Sequence, residues 1–362
     1  MGEKMNGFER MSRMLKRQKA DRICLYEHFW NDTQKEWIEQ GHLQPCEDMG
    51  LHFGFDMAQL WAFNLVADLD YQPEVVAETE DTITVKDGNG AILKRHKWHD
   101  STPEHVDFTV KCQTDWEERI KPILKAESRR INFEGYRKAK QQAHDNGQFF
   151  VWSGVNVFEL MHPVCGHENL LVGMCLEPEW IADMCDTYSR ITVEMQEELF
   201  AKEGKPDGIW YYEDMGYKGA PFMSPAMYDE FLYPAHKRTI DYAKSLGLPV
   251  IMHSCGYVEP LLPGMLKAGI DCLQVIEVKA GMDLLKLYRE YGDRLSFMGG
   301  IDVRTLYTND RAVIDQELES KIPFVKEGFG YCLHSDHSIP KTVGYNTFRY
   351  FIQKGLELGT YQ

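Results

Sequence analysis

The chain has 362 residues, with 40 Lys+Arg against 56 Asp+Glu and a formal net charge of −16. So acidic a surface repels nucleic acid and anionic membranes, and no apolar run of about 18 residues supplies a membrane span. A hydrophobic fraction of 43% supports a large core, and the nine cysteines, odd in number and scattered, argue for reduced thiols over a disulfide framework. The polar N-terminus has no signal-peptide centre, so a cytoplasmic protein with a small-molecule or protein partner is expected.

Residues 8–20 read as an amphipathic helix. Ile23-Cys24-Leu25-Tyr26 is a short apolar strand that runs into Glu27-His28-Phe29-Trp30. Asn31-Asp32-Thr33 offers caps for a helix through Trp37 to Gln40, closed by Gly41. Leu51 to Trp61 is apolar and aromatic without a clear period. In Thr82–Arg95, two alternating runs flank Asp87-Gly88-Asn89-Gly90, the signature of a β-hairpin. This is read as a small β excursion over about 71–112 within one domain spanning 1–362. Thr114 to Gly147 reads as largely helical and charged.

From there strand and helix alternate. The strands are Phe149–Trp152, Gly208–Tyr212, Leu248–Met252, Asp271–Ile276, Leu295–Met298 and Tyr331–Leu333. The helices are Pro178–Phe200, Ser224–Leu246, Val258–Ala268, Asp283–Tyr291, Ala312–Lys326 and Tyr345–Leu356. Short, non-alternating apolar strands separated by helices mean a parallel sheet covered by helices, and this many units predict an α/β fold of the (β/α)8 TIM-barrel type. No G-x-G-x-x-G follows a strand, which argues against a dinucleotide-binding sheet.

In such barrels chemistry collects at the C-terminal ends of the strands. The residues just past those ends are polar: Glu27 and His28; Glu213 and Asp214; His253 and Cys255; Glu277 and Lys279; Asp302 and Arg304; His334, Asp336 and His337. Imidazole and thiolate are good zinc ligands, and His253-Ser254-Cys255 places both at one strand end. A third ligand must come from elsewhere, and Cys332 is the candidate; the alternative is that these are ordinary buried residues. Asp214 and Asp302 could equally cap local turns or helices, and Lys279 could simply pair with Glu277. His162-Pro163-Val164-Cys165-Gly166-His167 looks superficially like a second metal loop, but the sequence shows no partner cluster for it. Phe29, Trp30 and Trp152 either line an aromatic pocket or pack under loops.

With these strand ends laid out, the chain resembles the uroporphyrinogen decarboxylase superfamily, and within it the zinc-dependent corrinoid methyltransferases. Four stretches carry the resemblance: Tyr212-Glu213-Asp214-Met215-Gly216 leading to Ser224-Pro225; His253-Ser254-Cys255-Gly256; Gly292–Leu295 with Met298-Gly299-Gly300-Ile301-Asp302; and Ser335-Asp336-His337. Glu27-His28-Phe29-Trp30 adds to it. The methyltransferase branch is marked by a His-x-Cys pair and a distant Cys, which implies a catalytic zinc on His253, Cys255 and Cys332. Porphyrinogen decarboxylases carry an arginine-rich stretch near the N-terminus; here Glu-His-Phe-Trp stands in that region, which argues against a many-carboxylate substrate.

The resemblance implies methyl transfer between a methoxylated or methylated small molecule, or a thiol, and a corrinoid carried by a partner protein, most simply as an O-demethylase component. Glu213 or Asp214 is expected as proton donor, and Glu213 or Glu277 as a displaceable fourth ligand. Glu27, Phe29, Trp30, Glu277, Lys279, Asp302, His334 and His337 are expected around the substrate. Met161–Met174 could form a docking surface or lid, and a homodimer is allowed. The competing class is a metal-independent lyase or a binding protein on the same barrel.

Overall fold

The computed structural model describes residues 5–98 and 102–361. Eight parallel strands make the central sheet: β1 (Cys24–Leu25), β2 (Met57–Trp61), β7 (Phe149–Val155), β8 (Gly208–Tyr212), β11 (Val250–Ser254), β12 (Cys272–Val275), β13 (Ser296–Gly299) and β14 (Tyr331–Leu333). Their order is β1-β14-β13-β12-β11-β8-β7-β2, so chain neighbours are sheet neighbours except at the β1–β14 junction. The two ends of that order meet where the Asp56 N–H donates to Leu25 O at 2.9 Å and the Leu25 N–H donates to Asp56 Oδ2 at 2.8 Å. This closes the expected (β/α)8 barrel. Arg10 and Arg22 reach the same carboxylate at 2.9 and 2.7 Å, so the closing seam is an ion-paired one. Nearly every residue of β7 to β14 in the ring is buried, as strands covered on both faces require.

The sequence reading missed β2. It also missed that the β excursion is a four-stranded antiparallel sheet. The hairpin read from Asp87–Gly90 is β4 (Thr82–Lys86) with β5 (Ala91–His96), and β3 (Glu74–Glu78) and β6 (Glu104–Phe108) flank it. A short hairpin, β9 (Gly216–Tyr217) with β10 (Ala220–Pro221), follows β8. The stretch expected as largely helical over Thr114–Gly147 consists of short helical pieces, Trp116–Ile120 and Ser128–Arg130, and the helix Phe133–Asp145. Met161–Met174 lies inside the helix Val157–Leu176, with Met161, Val164, Leu170 and Met174 buried, so it is bedded in the core and does not form a free lid. That helix bends at Gly166, whose φ of 77° no side-chain-bearing residue adopts cheaply. A Cβ there would meet the Phe108 ring of β6 at 2.4 Å, so the inserted sheet docks directly on the bend. Among the described residues no helix is long and apolar enough to cross a membrane.

Candidate metal centre

Parallel pairing of β8 with β11 sets the centre. His253 lies opposite Tyr212 in the register, so the residues just past β8 and the end of β11 share one corner of the barrel mouth. There one ligand atom each from Asp214, His253 and Cys255 lies within 4.8 Å of the others. His253 Nε2 is 3.1 Å from Asp214 Oδ1 and 3.3 Å from Cys255 Sγ, and the Cys255 N–H donates to the same Oδ1 at 2.8 Å. Gly256, at φ 81°, turns the chain here; a Cβ would strike Gly216 at 2.1 Å.

The electrostatics match the geometry. Burial opposes ionisation of Asp214, yet the His253 ring and the Cys255 N–H hold its carboxyl at about 2. His253 is pushed well above its usual range in spite of burial, by the thiol and the carboxylate facing it. Burial pushes the Cys255 thiol up, against the pull of His253. One imidazole thus faces a carboxylate and a thiol that would ionise on binding a cation, a donor set suited to a divalent ion of the zinc class. On the other ring nitrogen, His253 Nδ1–H donates to Gln274 Oε1 of the neighbouring strand, which leaves Nε2 for the ion. The zinc implied by the resemblance fits these residues. Gln274→Ala is expected to lower zinc affinity by about 10–100-fold, the cost of losing a partner behind a ligand, as read by competition with a chromogenic chelator. Unchanged affinity would remove Gln274 from the centre.

Cys332 is not brought to this group. On β14 it pairs with Cys24 of β1 and Met298 of β13, one side-chain alternation below His334, and it is completely buried. Burial raises its thiol well above the usual range, and its charged or ionisable neighbours are Cys24, Asp56, Cys272 and Arg22, at the closing seam. Its distance along the chain suited a ligand; its rung in the barrel does not. The carboxylate beside His253 and Cys255 is that of Asp214.

Glu213 also departs from expectation. It is completely buried and points away from the mouth, accepting the N–H groups of Phe158 and Glu159 at 2.8 and 3.1 Å and His236 Nε2–H at 2.6 Å. The helix Val157–Leu176 has no side-chain cap of its own at Asn156, and Glu213 from the next strand supplies the missing acceptor. Its contacts in the structure are those of a positioning residue at the start of that helix.

The remaining expected residues divide. His334, Gln274 and His28 form a line across the barrel. Gln274 Nε2 donates to His334 Nε2 at 3.4 Å, and His28 Nδ1–H donates to the same nitrogen at 3.1 Å. His28 Nε2 then accepts from Gln59 Nε2 at 3.1 Å and lies 3.0 Å from the Tyr212 hydroxyl oxygen, whose O–H donates to Gln59 Oε1 at 3.1 Å. Burial keeps both rings neutral, with His334 pushed down to about 3. His337 lies half-buried at the mouth against Trp30, ring centres 5.9 Å apart, within the field of Lys279, Glu277 and His253. Glu277 accepts the Gly256 N–H at 2.7 Å and pairs with Lys279, whose chain reaches solvent.

Glu27 instead staples backbone, accepting from His28 N and Ser335 N; burial raises it to about 8. Asp302 caps the following short helix and pairs with Arg304. Phe29 belongs to a packed aromatic cluster with Trp37, Phe53 and Phe348. Trp152 is core, against Phe63 and Tyr211.

The aromatic wall lies elsewhere. Trp61, at the end of the missed strand β2, is 45% exposed and packs on Tyr212 at 4.7 Å, which in turn packs on His253 at 4.7 Å. Beside it is a cavity of about 310 Å³ lined by Trp61, Phe63, Val66, Leu160 and Pro163, with Asn89 and Glu159 at its polar edge. Trp61 and Tyr212 stand between this cavity and His253.

A family model for uroporphyrinogen decarboxylase (URO-D) matches residues 151–355, from β7 to the last helix. No curated protein matches the chain. Among solved structures, a methyltransferase from Methanosarcina mazei superposes with a TM-score of 0.69 at 15% identity, covering 98% of this chain and 99% of that one. A 2,3-dimethylmalate lyase matches at 9% identity over 92% of this chain and 80% of its own, with a TM-score of only 0.32.

Proposed function

Because the chain belongs to the uroporphyrinogen decarboxylase family and gathers Asp214, His253 and Cys255 at its barrel mouth, we propose that it is a zinc-dependent methyltransferase. The methyl group would pass between a small methoxylated or methylated substrate, or a thiol, and a corrinoid carried on a separate protein. An O-demethylase component is the form favoured by an aromatic cavity that Trp61 lines and that Tyr212 links to His253. The fold shared with a Methanosarcina mazei methyltransferase is one that carries methyl transfer. The single observation behind the reading is the convergence of carboxylate, imidazole and thiol within 4.8 Å at one corner of the mouth.

Asp214 Oδ1, His253 Nε2 and Cys255 Sγ would hold the ion and leave a further position open, the mark of a catalytic site. Bound there, zinc supplies Lewis acidity toward an ether oxygen or lowers the pKa of a thiol. The protein does the rest. Trp61 and Phe63 hold an apolar ring and exclude water, while Tyr212 is fixed by His28 and Gln59 so that its ring backs His253. Lys279 Nζ, at the mouth beside Glu277, is placed to offset negative charge left on a departing oxygen or sulfur.

The test is to supply zinc-loaded protein with a Co(I) corrinoid and a panel of methoxylated aromatics and methylated thiols, following the methyl–cobalt absorbance. Activity that disappears in Cys255→Ser supports the reading. A protein that takes up no zinc and moves no methyl group would sink it, and leave the metal-independent lyase or binding class.

A further inference from the structure

A second cluster of ligating side chains lies outside this centre. His105 of β6 meets His162 and His167 of the helix Val157–Leu176, and one ring nitrogen from each lies within 4.8 Å of the others. All three are partly buried. In an uninterrupted helix, residues five apart point about 140° away from each other. Here the bend at Gly166, just after Pro163, brings the His162 and His167 rings into a stack with centres 4.2 Å apart. The inserted sheet then delivers His105 to both, at 5.9 and 6.3 Å between ring centres.

The cluster has the surroundings of a ligand set. Glu159 Oε2 lies 2.9 Å from His162 Nε2, the carboxylate-behind-imidazole arrangement that orients a metal-bound histidine. His162 Nδ1 is buried and has no hydrogen-bond partner, so it is the nitrogen left for an ion.

We propose that His105, His162 and His167 bind a second divalent transition-metal ion, of the zinc class, that clamps the inserted sheet to the bent helix. Three imidazoles suit zinc in particular. The clamp has a consequence for the neighbouring cavity: Asn89 and Val66 lie on the inserted side, and Glu159 and Pro163 on the helix side. An ion between sheet and helix would fix the distance between those walls.

Zinc per chain is measured after equilibration with buffered zinc, in the parent and in His105→Ala, His105→Gln, His162→Gln and Cys255→Ser. The expected result is two equivalents in the parent, one in each variant, and none in His105→Ala combined with Cys255→Ser. Cobalt distinguishes the sites: the ion kept by Cys255→Ser should show no thiolate-to-metal charge-transfer band, and the ion kept by the His105 variants should show one. Retention of that thiolate-bound ion also reports that the His105 variants are folded. One equivalent that survives Cys255→Ser and is lost in the His105 and His162 variants would support the clamp while overturning the first centre. Zinc content unchanged in both His105 variants and in His162→Gln would overturn the clamp.

Discussion

Asp214→Ala is expected to weaken zinc binding by at least about 100-fold, the upper end of what losing a mere supporting partner costs. Cys332→Ala is expected to leave it unchanged. The contrast follows from position. Asp214 Oδ1 touches His253 Nε2 and accepts the Cys255 N–H, so its removal takes away a ligand and loosens the loop that presents the thiol. Cys332 is one rung deeper, with Cys24 and Cys272 as its neighbours. Titration of each variant against a chromogenic zinc chelator reads both affinities. Strong loss in Cys332→Ala with little in Asp214→Ala would return the third ligand to the thiol. Loss of affinity in Asp214→Ala should be accompanied by loss of methyl transfer, whatever the methyl donor proves to be.

Glu213→Ala is expected to destabilise the fold by at least about 3 kcal/mol, since a buried donor left without its acceptor costs roughly 1–3 kcal/mol. Three donors lose their acceptor at once: the His236 ring and the first N–H groups of the helix Val157–Leu176. His236 is fixed from behind by Tyr228 O–H, 2.9 Å from its Nδ1, so the ring cannot easily turn to another partner. Urea unfolding of parent and variant gives the difference directly. A cost below about 1 kcal/mol, with activity lost, would return Glu213 to the chemistry; ordinary surface substitutions fall within that range. Zinc affinity separates the roles further, because a positioning residue for this helix should affect the His162 and His167 cluster more than the Asp214, His253 and Cys255 centre.

Most of the barrel was legible because seven of its strands are short apolar runs bounded by polar residues or glycine. The eighth was not. Met57-Ala58-Gln59-Leu60-Trp61 carries a glutamine at its centre, and only the closed barrel gives that side chain partners, in Ser153, Tyr212 and His28. His253 and Cys255 were visible as a local pair, since they are two positions, one alternation, apart. Asp214 was visible only as one of two adjacent acids, and which of them faces His253 and Cys255 depends on side-chain direction past the end of β8. Cys332 shows the same gap: chain position places a residue on a strand but not on a rung. His105 had no signal at all, because its neighbours in space are more than fifty positions away in the chain and meet it only through the bend at Gly166.

The barrel is sealed where its first and last strands meet. Cys24 pairs with Cys332, the Ile23 N–H reaches Gly359 O, and the Tyr361 N–H reaches Asp21 O. A polypeptide emerging from the ribosome in order would therefore hold β1 without its parallel neighbour until more than three hundred further residues had been added. Such a late, long-range closure makes vectorial synthesis slow to yield the finished ring and leaves an unpaired strand edge in the growing chain. The same geometry brings Met5 and Tyr361 to one residue, the Met5 N–H reaching Asp21 Oδ2 and the Tyr361 N–H Asp21 O. Joining them by a short tether and opening the chain at Gly219, a left-handed glycine with open space around it, would let the ring close from local contacts, and refolding of that permutant should be faster than that of the parent.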